Sequence, residues 1–496
     1  MPKYHDHPIA DLNMKSSYQA PHPEFTPLLS HTRIPSRSSP SERSFSPPVL
    51  LVTLTLFTTL TLSPLLTAPS HLSQLEDAVC DERISSLMYR KETLGRLLTI
   101  LLAIPYGFAS DIFGRKKMIQ LGMSGVLLGE LITAFACNGT FFGMMDVSAE
   151  GVWIAEGMRF LGGGVDILKG MLAAVVIDSF GDGESAGLLP RAGVFLLIGS
   201  LTVLIEMPAS PLASLLSSIS LLSPEIFAMI LQTTAMIATT AFPETSPAHS
   251  LKSIHLSPDS NSSTIPAWAH PKPRRGSLTS RNTLLILLST LLTTTATYSL
   301  SPSLITTYTT THFSWTTNDS SFLLTSTSII TLAALSALLP WMKNTITKRT
   351  SLSVGNRDRV LTKASAWALA VGSFFMAVSN NGSMFAFGAC IAALGWGYNV
   401  MVFALGASLV SEHETGMFCG ALVMAQSVGG MLAGALMEGV FESGVELGGV
   451  WKGLPYMLAT VLLSGAACLV GFGVRIQDEE TVGLGDEVEV REGKAV

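Results

Sequence analysis

Gly107-Phe108-Ala109-Ser110-Asp111-Ile112-Phe113-Gly114-Arg115-Lys116-Lys117 is a charged run held between two apolar stretches, roughly 94–109 and 118–136. Stretches of that length and apolarity are what a bilayer crossing needs. The run between them therefore reads as the turn joining two spans. Gly107 and Gly114 allow close backbone approach and a tight reversal. Asp111 is placed to accept bonds from Arg115 or to meet the positive end of a neighbouring helix. Arg115, Lys116 and Lys117 would anchor the turn on the cytoplasmic side. Any multispan protein has basic inner loops, so the bland reading is an ordinary loop of that kind.

The rest of the chain supports a membrane setting. Of 496 residues, 48% are hydrophobic and only 13% charged, against about 25% charged in soluble proteins. Twelve segments have the apolar length of a span: 49–67, 94–110, 118–137, 152–177, 191–209, 221–242, 282–304, 319–342, 364–380, 384–410, 416–439 and 453–474. The first, seventh and eighth are dense in Thr and Ser, whose hydroxyls can bond back to helix carbonyls. With the N-terminus inside, the inner segments hold 23 of the 30 Lys and Arg residues and the outer segments hold 4. That asymmetry places both termini in the cytoplasm. Residues 1–48, polar and rich in Ser, Pro and His, read as a disordered tail rather than a cleaved signal peptide. The Pro- and Ser-bearing stretch 243–281 reads as a cytoplasmic linker that splits the spans six and six, into 49–242 and 282–474. Residues 475–496 form a second cytoplasmic tail. Cys80 and Cys137 are both placed near the outer face, where a disulfide is feasible.

The joint pattern G-x-x-x-D-x-x-G-R-[KR]-[KR] resembles the loop after the second span of major facilitator superfamily transporters. Pro105-Tyr106-Gly107 precedes it. Arg159-Phe160-Leu161-Gly162-Gly163-Gly164 is similar to that family's intramembrane arginine and glycine motif. Phe242-Pro243-Glu244-Thr245 resembles the ending of the sixth span in fungal members. Gly453-Leu454-Pro455-Tyr456 opens the last span. The resemblance covers about residues 49–475. It implies an all-α membrane protein of the fungal type, with twelve transmembrane helices in two six-helix bundles and an unassigned substrate. Two departures stand out. The fifth span lacks the G-x-x-x-G-P-x-x-G-G run of many drug–proton antiporters, and the inner loop after the eighth span lacks the D-x-x-G-R-[KR] spacing. Asp358, between Arg357 and Arg359, reads as its remnant.

The fourth span is the chemically richest. Glu156, Arg159, Asp166 and Lys169 lie in an otherwise apolar stretch, where each charge costs at least about 2.5–3.5 kcal/mol at the bilayer centre. Spacings of three and seven gather all four on one face of the helix, toward the bundle interior, with the outer interface as the alternative place for Glu156. Two readings follow: a proton or substrate relay, or a structural ion-pair stripe. Gly162, Gly163 and Gly164 read as close helix packing. Glu130, mid-way along the third span, reads either as a second protonatable site or as an interhelical bond. Glu206 and Glu438 are placed at the outer, interfacial ends of spans five and eleven. Trp396, Tyr398 and Asn399, and Gln426, are candidates to line a cavity, with ordinary packing as the alternative.

The leading expectation is a secondary carrier, not an enzyme. It would move a small molecule by alternating access, driven by protons. No Walker-type G-x-x-x-x-G-K-[ST] sequence is present, nor H-E-x-x-H, G-x-S-x-G or a nucleic-acid-binding signature. No cofactor and no metal ligand set is expected. Partners are the substrate, protons and the lipid bilayer, and the expected state is a monomer. The plasma membrane and the vacuolar membrane are both open. The alternative is a non-transporting sensor that keeps the fold.

Overall fold

The computed structural model describes residues 47–78, 81–137, 151–180, 191–220, 222–241, 243–245, 280–350, 352–410 and 414–474. Both tails, most of the linker and Cys80 lie outside the described residues, so the Cys80–Cys137 pairing does too. The helices are α1 (Pro47–Ala78), α2 (Asp81–Phe113), α3 (Arg115–Cys137), α4 (Gly151–Gly157), α5 (Gly164–Phe180), α6 (Arg191–Ile219), α7 (Ser223–Thr240), α8 (Arg281–Thr297), α9 (Pro302–Phe313), α10 (Thr317–Ala333), α11 (Leu339–Arg349), α12 (Val354–Ala377), α13 (Gly382–Leu394), α14 (Tyr398–Ala407), α15 (Thr415–Leu447) and α16 (Leu454–Cys468). A π turn, Ala334–Leu338, carries α10 into α11.

Eleven helical stretches among the described residues are long and apolar enough to cross a membrane, from Val49–Thr67 to Trp451–Gly473. The sixth expected segment also forms a helix, α7. It is not among the eleven, being diluted by Glu225 and Gln232, both of which it buries. Large apolar side chains stay exposed on the outer faces, as at Leu101, Ile230 and Val461, which suits a surface solvated by lipid.

Several expected loops are helical. Residues 210–219 continue α6. Ser214 and Ser218 donate to the carbonyls of Ser210 (3.1 Å) and Leu215 (2.7 Å), so their hydroxyls are satisfied within the helix and do not break it. The expected outer loop 305–318 contains α9. Ser301 caps that helix by accepting from the Leu304 amide, and Ile305 and Tyr308 are buried under it. The outer stretch after 440 continues α15 as far as Leu447. The Thr-dense spans use the same back-bonding: Thr53 donates to Val49 (2.7 Å), and Thr290 to Ile286 (2.8 Å).

The fourth expected span is not one helix. α4 ends at Gly157, a 3₁₀ turn covers Met158–Leu161, and α5 starts at Gly164. Gly163 and Gly164 both sit at φ +80°, a left-handed conformation that disfavours any residue with a Cβ. Gly162 lies so close to Gly122 of α3 that a Cβ there would fall on the Gly122 backbone. The glycine run therefore permits both the break and the contact. The expectation of a single four-charge stripe is corrected by this break.

Candidate functional site

The quoted turn is tighter than its sequence suggests. α2 runs to Phe113 and α3 begins at Arg115, leaving Gly114 alone between them at φ +100°. Arg115 is a buried centre and not the surface anchor expected of it, with 0% exposure. Its Nη2 lies 2.6 Å from Asp111 Oδ1 and its Nε donates to Asp178 Oδ2 at 2.9 Å. Its Nη1 donates to the Ser110 hydroxyl. Asp111 does both things its position suggested. Besides pairing with Arg115, its two oxygens accept from the Gly416 and Met417 amides at 2.9 Å each. Those amides open α15, where unpaired N–H groups and the helix dipole favour an anion.

Gly107 lets this happen. A Cβ there would lie 2.3 Å from the Gly416 carbonyl oxygen, and one at Gly420 would lie 2.3 Å from that of Ala103. α2 and α15 thus meet backbone to backbone along small residues. Glu244, from the stretch after α7, caps α3 by accepting from the Arg115 amide at 2.8 Å and the Lys116 amide at 3.3 Å. Lys116 Nζ reaches the Thr240 carbonyl at 2.6 Å. Lys117 is exposed.

A second polar cluster lies at the start of α6. Arg191 Nη2 approaches Asp358 Oδ2 at 4.0 Å and donates to the Ala404 carbonyl at 3.4 Å. Lys343 Nζ lies 3.8 Å from Asp358 Oδ1. Asp358 is 1% exposed, so the residue read as a motif remnant is a buried partner of two bases.

One turn along α6 from Arg191, Phe195 stacks on Phe403 of α14, with ring centroids 6.1 Å apart. That stack borders a cavity of about 620 Å³, within the range that holds drug-sized ligands. Phe57, Phe195 and Phe403 give it apolar walls. Six charged residues line it: Glu92, Arg96, Arg159, Asp166, Lys169 and Glu206. All six come from the segments before residue 245. The segments after 280 contribute neutral groups, among them Thr331, Trp396, Asn399, Gln426 and Ser427.

Inside the cavity, Arg159 is held by Glu156. Its Nε donates to one carboxylate oxygen and its Nη2 to the other at 3.4 Å. Glu156 itself is buried and stands behind the arginine. Arg96 pairs with Glu92 at 2.7 Å. Asp166 and Lys169, expected to neutralise each other, form no ion pair within 4 Å among the described residues. Glu206, placed at the outer end of its span, lines the same cavity. Glu438 accepts from the Tyr298 hydroxyl at 3.0 Å.

Tyr398 is corrected from cavity lining to core. It is fully buried, and its hydroxyl meets Ser289 Oγ at 2.8 Å. Glu130 also lies off the cavity. It accepts from Ser63 Oγ at 2.9 Å and from Gln232 Nε2 at 3.1 Å, tying α3 to α1 and α7.

Sequence reasoning missed Arg96 and Glu92. Arg96 was detectable as a base inside a span, whereas Glu92 was hidden by a boundary set two residues too late. Phe57, Phe195 and Phe403 carry no signal that separates them from other apolar helix residues.

The family model described as Major Facilitator Superfamily matches residues 93–434. An MFS efflux pump, atnC, of Emericella nidulans is 24% identical over 393 residues, covering 77% of this chain and 73% of its own. Among solved structures, the human organic anion transporter MFSD10 aligns with a TM-score of 0.62 at 15% identity, covering 87% of this chain and 100% of that one. The transporter FucP in its outward conformation gives 0.62 at 12% identity, with the same two coverages. At those identities the structures speak for the fold.

Proposed function

Because this chain belongs to the Major Facilitator Superfamily, we propose that it is a secondary active transporter moving a small molecule by alternating access, coupled to protons. α7 serves as the sixth of twelve spans. The segments before 245 and after 280 act as two six-helix bundles joined by the linker 243–281. The observation that carries this reading is the cavity: both sets of helices wall it, and bonds running between them bar one end. The excess of Lys and Arg on that side supports a cytoplasmic location for the barred end and for both termini. The described state is then open outward, and Asp111, Gly114 and Arg115 form the inner gate. Glu156, Asp166 and Glu130 are the candidate proton carriers, with Arg159 and Lys169 as their basic partners. The efflux pump among the relatives supports export as the direction, across the plasma or the vacuolar membrane.

Cells overexpressing the chain should accumulate less of at least one compound from a broad toxin panel than cells lacking it. Dissipating the pH gradient should remove the difference. Asp111→Asn should reach the membrane in normal amount and lose the effect. Binding of panel compounds with no change in any accumulation would overturn transport and favour a sensor.

A further inference from the structure

We propose that the cavity takes an amphiphilic organic cation, a positively charged head on an aromatic or aliphatic body. This rests on the transporter reading above and names its substrate class. The argument is a charge balance. Glu92 and Arg96 neutralise each other, as do Glu156 and Arg159. What remains is Asp166, Lys169 and Glu206, none in an ion pair within 4 Å among the described residues. Two carboxylates stand against one ammonium. Asp166 and Glu206 are both exposed in the wall, so the surplus is one negative charge held between them. No charged residue after 280 lines the cavity to offset it.

The body is set by the other end. The Phe195–Phe403 stack lines the end nearest the Arg191–Ala404 contact. Glu206 stands roughly three helical turns, about 16 Å, farther along α6. A molecule filling this space lays its apolar part on the stacked rings and its head among the carboxylates of the wall. Aromatic faces also favour a cation over an anion, and a charge in this low-dielectric site is felt strongly.

Tetraphenylphosphonium and tetraphenylborate share a shape and differ in sign, so they separate charge preference from apolar fit. Their binding to the purified full-length protein is measured by equilibrium dialysis. A cavity-filling Thr202→Trp variant serves as the blank for partition into detergent. The cation should bind at least roughly tenfold more tightly than the anion. Asp166→Asn, which keeps side-chain size, should erase the preference, and Lys169→Gln should widen it. Equal binding, tighter binding of the borate, a preference untouched by Asp166→Asn, or binding of neither ion would overturn the cation assignment. The transport reading would still stand or fall on its accumulation assay, which uses neither probe.

Discussion

The helices before residue 245 and those after 280 face each other across one cavity but bring different chemistry to it. The first set supplies every charged wall residue, from Glu92 on α2 to Glu206 on α6. The second supplies amides, hydroxyls and aromatic rings such as Gln426, Ser427 and Trp396. The two polar contacts that join the sets are unequal in a different way. Asp111 caps α15 through two 2.9 Å bonds and shares Arg115 with Asp178. Its counterpart, Asp358, meets Arg191 and Lys343 at 4.0 and 3.8 Å. One of the two contacts between the sets is thus a tightly bonded lock and the other a looser electrostatic contact. At low dielectric, distance and hydrogen-bond geometry decide how much each is worth.

Four substitutions test that inequality. Arg115→Met should have the largest effect, because it leaves Asp111 and Asp178 buried without their shared cation. Breaking such a pair costs about 3–5 kcal/mol, to be read as a lower thermal unfolding midpoint and poor recovery of folded protein. Near-normal stability would mean the lock contributes little. Asp111→Asn should insert and fold but lose transport by roughly tenfold or more, the equivalent of one or two charge-assisted bonds. Asp358→Asn should reduce transport less than Asp111→Asn, since its ion pairs are longer than that of Asp111 with Arg115. Equal losses in the two variants would erase the distinction between lock and contact. Lys117→Ala, at an exposed position beside the lock, should stay within about 0.5 kcal/mol of the parent in stability.

The sequence made the helical outline legible, because apolar length is set by bilayer thickness and owes little to tertiary detail. It misjudged where helices stop. The polar stretches 210–219 and 305–313 look like loops, yet their Ser and Thr hydroxyls are absorbed by carbonyls one turn back or by caps. Asp111 was readable because its acid, glycine and base neighbours lie close in sequence. Its α15 partner is 305 residues away and the Arg191–Ala404 link spans 213, and no local pattern announces either. The fourth-span charges show the opposite failure. Their spacing suits one helix face, but the glycine run turns the backbone between Arg159 and Asp166. Spacing rules assume a continuous helix, and three glycines were the warning that it breaks.

The surplus negative charge held between Asp166 and Glu206 also bears on membrane voltage. The wall that carries it belongs to one set of helices, so the alternating-access cycle proposed above would displace its net negative charge through the field whenever the cavity holds neither a cation nor a proton. A bound monovalent cation cancels that charge. A transmembrane potential, worth about 2.3 kcal/mol per elementary charge per 100 mV, would therefore act on the empty return and leave the loaded passage nearly untouched. The resting potential would then set how fast the unloaded protein resets.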